Sequence, residues 1–123
     1  MTTNRYFDAG DAAIRLRAGR WVEQFLGIGT LEGGRVVRYV VVTPEPSGTF
    51  AATRVEAHDE GGNEGIGLYD FPAFDPDEPY GEIHEFADAE AAIAHCLQAW
   101  GADPARFVGQ GMAMQEYLDA STP

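Results

Sequence analysis

The side chains best suited to acid–base chemistry or metal binding are three histidines. His58 lies in the tripeptide HDE and His84 in EIHE, so both have carboxylates beside them, whereas His95 directly precedes the only cysteine. Zinc sites use histidine and cysteine at short fixed spacings, such as two histidines on one helical turn or a paired CxxC. Because the chain has none of these spacings, we expect solvated histidines, no metal site and no cofactor.

One fold would still bring imidazole and carboxylate groups together. If strands over 49–60 and 81–86 were neighbours, His58 could meet Glu82 and His84, two residues that share one strand face because side chains alternate. A small enzyme or ligand-binding domain that uses these histidines and carboxylates is therefore one alternative function.

The other reactive groups lack the spacing that catalysis needs. Adjacent residues on a helix point about 100° apart, so His95 and Cys96 cannot form a nucleophile–base pair, and Cys96 falls on an apolar helix face. Neither serine of the chain lies in a GxSxG motif. The glycine-rich segments 27–34 and 61–67 match neither GxGxxG nor the P-loop, so they indicate hairpin turns. These absences predict no catalytic residue and favour a protein that is not an enzyme.

Charge is distributed very unevenly along the chain. The net charge is −12 and all eight cations are arginine. Residues 1–54 hold seven arginines and five acids, a balance of +2, whereas residues 55–123 hold one arginine and fifteen acids, a balance of −14. Phosphate binding needs clustered lysine and arginine, so we expect no nucleic-acid partner. An anionic half of this kind suits a basic protein partner.

The segment 68–82, LYDFPAFDPDEPYGE, combines five carboxylates, four aromatic rings and three prolines without a cation. Prolines stiffen a loop, aromatic rings are typical interface anchors, and carboxylates steer a cationic partner. In the alternative interpretation the rings belong to the core and the acids around them are solvated. The predicted partner-binding residues are Asp70, Phe71, Phe74, Asp75, Asp77, Glu78, Tyr80, Glu82 and Glu85.

The length of 123 residues predicts one domain, spanning 1–123. The sequence contains no run of about 18 apolar residues, so we expect no membrane partner. The N-terminus lacks a basic region followed by an apolar one, and a single cysteine excludes an internal disulfide. These features predict a cytoplasmic location.

Strand patterns come first along the chain. The β-branched segment 35–43, RVVRYVVVT, predicts a central strand after a turn at EGGR, and 49–60 predicts its antiparallel partner. Segment 66–74 begins like a strand and stops at Pro72, whereas 81–86 resembles a short edge strand. Segment 13–29 fits both two strands with a turn near Gly19 and one amphipathic helix, and we leave these two alternatives open.

Helix patterns follow. Asp88 is suited to cap a helix over 89–100 that ends at Gly101, Asp103-Pro104 resembles a second helix start, and a last helix falls within 112–120. Strands before helices predict an α+β domain, with an antiparallel sheet of about four to six strands and the C-terminal helices on one face.

Three segments together resemble small acidic immunity proteins of bacterial toxin systems, of the contact-dependent inhibition or type VI kind. These segments are RYVVV, LYDFPAFDPDEPYGE and the closing AAIAHCLQAWGADPARFV with QEYLDA. The resemblance implies a cytosolic α+β inhibitor that occludes a basic partner such as a toxin nuclease, and it carries over no individual residue. A structural homo-oligomer is a further alternative, in which the arginine-bearing half of one chain meets the acidic half of another.

Overall fold

The computed structural model describes residues 5–61 and 67–121. These residues form a five-stranded antiparallel sheet with the strand order β4-β3-β2-β1-β5, which confirms the predicted α+β class. None of the described helices is both long and apolar enough to cross a membrane. The elements in chain order are α1 (Ala9–Arg17), β1 (Val22–Leu31), β2 (Gly34–Pro44), β3 (Phe50–His58), a 3₁₀ turn (Leu68–Asp70), β4 (Glu82–Phe86), α2 (Ala89–Trp100), β5 (Val108–Gly109) and α3 (Met112–Ser121).

The β-branched run builds the centre of the sheet, as predicted. Successive side chains of β2 alternate between the two faces, and Val37 and Val40 are both fully buried because both faces are covered. Strand β2 pairs with β1 through a tight turn in which Glu32 and Gly33 have positive φ angles of 53° and 82°, so the turn predicted at EGGR is confirmed.

The helices lie on both faces of the sheet rather than on one. Helices α1 and α2 pack together over β1, β2 and β3, with Leu16, Ile93 and Cys96 in the shared core. Helix α3 and the 3₁₀ turn cover the other face, where Tyr117 is fully buried. The expectation of a single helical layer is corrected because the chain runs along the β1 edge as β5 and returns on the opposite face.

Each of the two alternatives for residues 13–29 is correct for one half of the segment. Helix α1 begins after Asp8, whose carboxylate accepts a hydrogen bond from the Asp11 amide at 2.8 Å, and it ends at Arg17. The chain reverses at Gly19, which has a φ of 86°, and Val22 then begins β1. Arginines in the last turn of α1 suit the negative end of the helix dipole.

The strand predicted over 66–74 is wrong for its described part. Leu68 and Phe71 are both buried and lie three residues apart, which is the period of a 3₁₀ turn. Only Ala73 forms a β-bridge, with Ala57. Residues 62–66, which include Asn63 of the predicted GGN turn and the start of this strand at Ile66, lie outside the described residues.

The helix start predicted at Asp103-Pro104 is also wrong. The Asp103 carboxylate accepts from the Ala105 amide at 2.9 Å, which closes a turn but begins no helix. The Gln24 side chain binds both the amide and the carbonyl of Asp103, at 2.7 and 3.0 Å, and directs the chain towards β5.

The remaining predicted elements are confirmed. The strands over 49–60 and 81–86 are β3 and β4, and the helices over 89–100 and within 112–120 are α2 and α3. The Asp88 carboxylate accepts from the Ala91 amide at 2.8 Å, and Gly101 ends α2 in the left-handed conformation, with a φ of 71°.

Candidate functional site

An open groove of about 480 Å³ lies on the sheet face that α2 covers only in part. Its floor is formed by β3 and β4, and its outer wall by the loop 74–81. Five of its lining residues are carboxylates, opposed by one arginine and one histidine. The lining residues are Glu32, Arg54, Glu56, His58, Phe74, Asp75, Pro76, Glu78, Gly81 and Glu82.

The alternation of β3 explains why the floor is charged. Every second side chain of β3 lies on this face, beginning with Phe50 and Ala52, which pack in the core beneath the helices. The next positions on the same face are Arg54, Glu56 and His58, which lie beyond the end of the helical layer. The strand therefore changes from apolar to charged at the point where its cover ends.

The loop 74–81 is fastened to the sheet by backbone contacts. The Phe74 amide donates to the Glu56 carbonyl at 2.9 Å, and the Phe74 ring packs against His58 with centroids 5.2 Å apart. Gly81 has a φ of 91°, and a Cβ at this position would lie 2.5 Å from the Arg54 carbonyl oxygen. These contacts hold the loop 74–81 against β3, so the wall of the groove has a defined structure.

Acidic residues line the rim of this wall. The Asp75 carboxylate accepts from the Asp77 amide at 2.9 Å, and the Glu78 amide donates to the Asp75 carbonyl at 3.0 Å, so the three residues form a turn. All three are exposed, and none of the ion pairs found among the described residues involves them. Tyr80 is 80% exposed but lines a different pocket, with Tyr39 and Phe71 on the opposite face of the sheet.

Arginines from the first half of the chain neutralise part of the acidic half. Arg38 pairs with Glu56 at 2.5 Å, and Arg54 with Glu82 at 3.7 Å. A hydrogen bond from His84, with further contributions from Arg54, holds the pKa of Glu82 below its usual range. On the floor of the groove, arginines from the first half of the chain thus neutralise part of the negative charge. The rim carboxylates keep their negative charge without an ion pair among the described residues.

The structure gathers most of the predicted partner-binding residues and separates the others. Phe74, Asp75, Glu78 and Glu82 line the groove, and the predicted residue Asp77 lies on its rim. Tyr80 instead lines a pocket on the opposite face of the sheet.

Three further predicted residues also lie away from the groove. Phe71 is a core residue, packed edge-on against Tyr117 with ring centroids 5.5 Å apart. Asp70 is exposed beside the 3₁₀ turn, close enough to Tyr39 on the opposite face to affect its pKa. Glu85 lies three positions from Glu82 on β4 and therefore also faces away from the groove.

His58 and Glu82 both line the groove, but His84 lies away from His58, although their strands are neighbours. In the register of β3 and β4, His84 lies opposite Ala52. His58 is six residues farther along β3, which corresponds to about 20 Å of strand. The alternative of one shared histidine pocket is wrong for this reason.

His84 instead packs against His95, a residue for which the sequence predicted no site. Their ring centroids are 4.8 Å apart, and the His84 Nε2 atom lies 2.8 Å from a Glu82 carboxylate oxygen. Only two residues separate β4 from α2, so the helix must fold back across its own strand. That short connection is the signal that could have indicated the contact.

The sole cysteine is a core residue. Cys96 is fully buried on α2, and burial raises the pKa of its thiol to about 12. The nucleophilic thiolate is accordingly scarce at neutral pH.

Comparison of the chain with protein-family models, curated proteins and solved structures returned no match. The groove itself is therefore the basis for assigning a function. A concave acidic surface is suited to hold guanidinium or ammonium groups through charge-assisted hydrogen bonds.

Proposed function

We propose that this protein is a non-enzymatic binding module that captures a basic segment of another protein in the acidic groove. The observation that carries the proposal is the composition of the lining, with five carboxylates against one arginine and one histidine. An arginine or lysine of a partner would replace water around these carboxylates and gain charge-assisted hydrogen bonds.

The rim supports the same proposal. The carboxylates of Asp75, Asp77 and Glu78 project a negative field that would steer a cationic partner and speed its association. Phe74 contributes an aromatic ring to the groove lining, and such rings often dominate the energy of an interface. Because backbone hydrogen bonds hold the loop, little conformational entropy would be lost on binding.

The partner class that fits best is a basic toxin, such as a nuclease, which the protein would inhibit as an immunity protein. A nuclease needs a cationic surface to hold phosphates, and an acidic protein can occlude that surface. The acidic composition, the α+β fold and the sequence resemblance all agree with this role.

A charge-reversal experiment tests the proposal. The double variant Asp77→Lys/Glu78→Lys should weaken binding of an arginine-rich probe peptide at least tenfold, as measured by isothermal titration calorimetry at low salt. The matched control is Asp11→Lys/Glu60→Lys, which makes the same change in net charge at exposed sites outside the groove lining. We expect the control to retain most of the affinity.

The salt dependence supplies a second criterion. Affinity for the partner should fall steeply as salt is raised, because screening weakens the steering field. Equal losses in the rim variant and the control, or no salt dependence, would contradict a specific role for the groove. Size-exclusion chromatography at low and high salt would show whether a second copy of the chain is the occupant instead.

A further inference from the structure

A second polar cluster lies next to the groove, where β4 meets α2. Glu82 and His84 lie two residues apart on β4 and share its inner face, and His95 reaches them from α2. One ligand atom from each residue lies within 4.8 Å of the other two. The fold brings these three residues together. Their spacing in the sequence does not match a known zinc motif, which is why the sequence predicted no metal site.

His95 shows an unsatisfied polar atom. Its Nε2 atom is buried and has no hydrogen-bond partner among the described residues. A buried polar atom without a partner costs about 1–3 kcal/mol, so structures rarely keep one without a reason. Coordination of a cation would satisfy an imidazole nitrogen of this kind.

An aromatic wall shields one side of the cluster. The Trp100 ring packs edge-on against His95, with ring centroids 4.6 Å apart, and its centroid lies 6.1 Å from that of the His84 ring. The other side is open, because the side chains of Glu82 and His84 are 37% and 45% exposed. A metal site needs ligand atoms that the fold holds in place and a path by which the ion can enter. The cluster has both, because His95 is held inside and Glu82 and His84 are open to solvent.

We propose that Glu82, His84 and His95 bind a divalent first-row transition metal, with Zn²⁺ as the best fit. Two imidazoles and one carboxylate match the ligand preference of Zn²⁺ and are poor ligands for Mg²⁺ or Ca²⁺. The three protein ligands leave a fourth position open towards solvent. Metal binding at this cluster does not depend on the proposed partner binding, although Glu82 belongs to both the cluster and the groove.

The geometry requires only a small adjustment. Ligand atoms around a tetrahedral Zn²⁺ lie about 3.3 Å apart, given metal–ligand distances of about 2.0–2.1 Å. The longest separation in the cluster would therefore close by roughly 1.5 Å. Rotation of the exposed Glu82 and His84 side chains can supply this movement, at the cost of one exposed hydrogen bond between them.

The test is titration of untagged, chelator-treated protein with Zn²⁺ by isothermal titration calorimetry. We expect one site per chain and a rise in melting temperature. His84→Ala and His95→Gln should each lower the affinity at least tenfold and remove most of the thermal shift. His58→Ala, which removes a histidine about 20 Å away along the sheet, should leave both unchanged. Co²⁺ should give the d–d absorption bands of a tetrahedral or five-coordinate site.

Circular dichroism separates loss of the site from loss of the fold, and the exposure of His84 makes its variant the decisive one. Zn²⁺ affinity that is unchanged in His84→Ala would overturn the proposal, because the many other carboxylates would then account for binding. The same holds if Mg²⁺ or Ca²⁺ competes at concentrations similar to that of Zn²⁺, or if wild-type protein shows no saturable site.

Discussion

At the scale of single residues, the buried carboxylate of Glu23 connects three elements of the fold. The residue is only 3% exposed and lies on β1, where it accepts hydrogen bonds from the amides of Gly111 and Ala113 at the start of α3 and from the Tyr69 hydroxyl. Burial and the Glu23 hydrogen bond both raise the pKa of Tyr69, which therefore remains a proton donor. Glu23 is thus a long-range cap of α3.

Removal of this cap should destabilise the protein strongly. Glu23→Ala leaves two backbone amides and one hydroxyl without their acceptor, so we expect a loss of about 3 kcal/mol in the free energy of unfolding. Glu23→Gln keeps one acceptor oxygen and should lose less. Urea unfolding measures both, and a loss below about 1 kcal/mol for Glu23→Ala would show that α3 does not depend on the cap.

Asp59 should contribute to the pH dependence of stability. Its side chain is 2% exposed, and burial alone would raise its pKa, but hydrogen bonds from Tyr117 and the Gly61 amide and the charge of Arg35 outweigh burial and hold that pKa below its ordinary value of 3.8. The unfolded state then binds the proton more tightly. The contribution is full well above pH 3.8 and is lost as the pH falls through the folded-state pKa.

Urea unfolding at neutral pH and near about pH 3 tests this contribution. Asp59→Asn should be less stable at neutral pH and should lose less on acidification than the wild type. Asp77→Asn, at an exposed carboxylate of the rim, is the control and should keep the wild-type pH dependence. If Asp59→Asn kept the wild-type pH dependence of stability, the lowered pKa of Asp59 would not be its source.

At the scale of elements, the sequence was most informative where local propensity and packing agree. The central strand, its partner β3, the edge strand β4 and the capped helix α2 all carry strong local signals, and all were predicted. The 3₁₀ turn and β5 were missed because long-range contacts form them: Phe71 is held by Tyr117, and a strand of two residues has no measurable pattern.

The candidate sites follow the same division. The composition of 68–82 was enough to predict an acidic, aromatic loop, and residues such as Asp75 and Glu78 do lie at the groove. The core position of Phe71 depends on a helix that lies 40 residues farther along the chain. The contact between His84 and His95 depends on the path of α2, which single-residue spacing does not encode.

Gly81 is the element-scale position most sensitive to change. A side chain there would require a positive φ of 91° and would contact the Arg54 carbonyl at 2.5 Å. Gly81→Ala should therefore cost about 2–4 kcal/mol and reduce hydrogen-exchange protection in β4 and the neighbouring part of β3. Gly109→Ala in β5 has open space and an ordinary φ, so it should change stability far less. Equal effects of the two variants would contradict this explanation.

At the scale of the whole molecule, net repulsion remains after the ion pairs are formed. The net charge is −12, and exposed ion pairs such as that of Arg17 with Glu90 are each worth only about 0–1 kcal/mol. Screening should therefore stabilise the folded chain more than it weakens these pairs.

We expect the melting temperature to rise when sodium chloride is added at neutral pH, while affinity for a basic partner falls. Differential scanning calorimetry measures the first effect. The Asp77→Lys/Glu78→Lys variant, whose net charge is less negative, should gain less from salt than the wild type. A melting temperature that falls with salt would mean that the arginine pairs contribute more than the repulsion costs.

The position of β4 at the end of the sheet has one more consequence. This five-residue strand leaves one row of backbone groups without a strand partner among the described residues, and Ile83 on it is 53% exposed. Such an edge is a template for intermolecular pairing, and negative charge on Glu82 and Glu85 opposes it. Near the isoelectric point of about 4.4 the net repulsion between molecules disappears, so acidified solutions should form β-rich precipitates seeded from this strand.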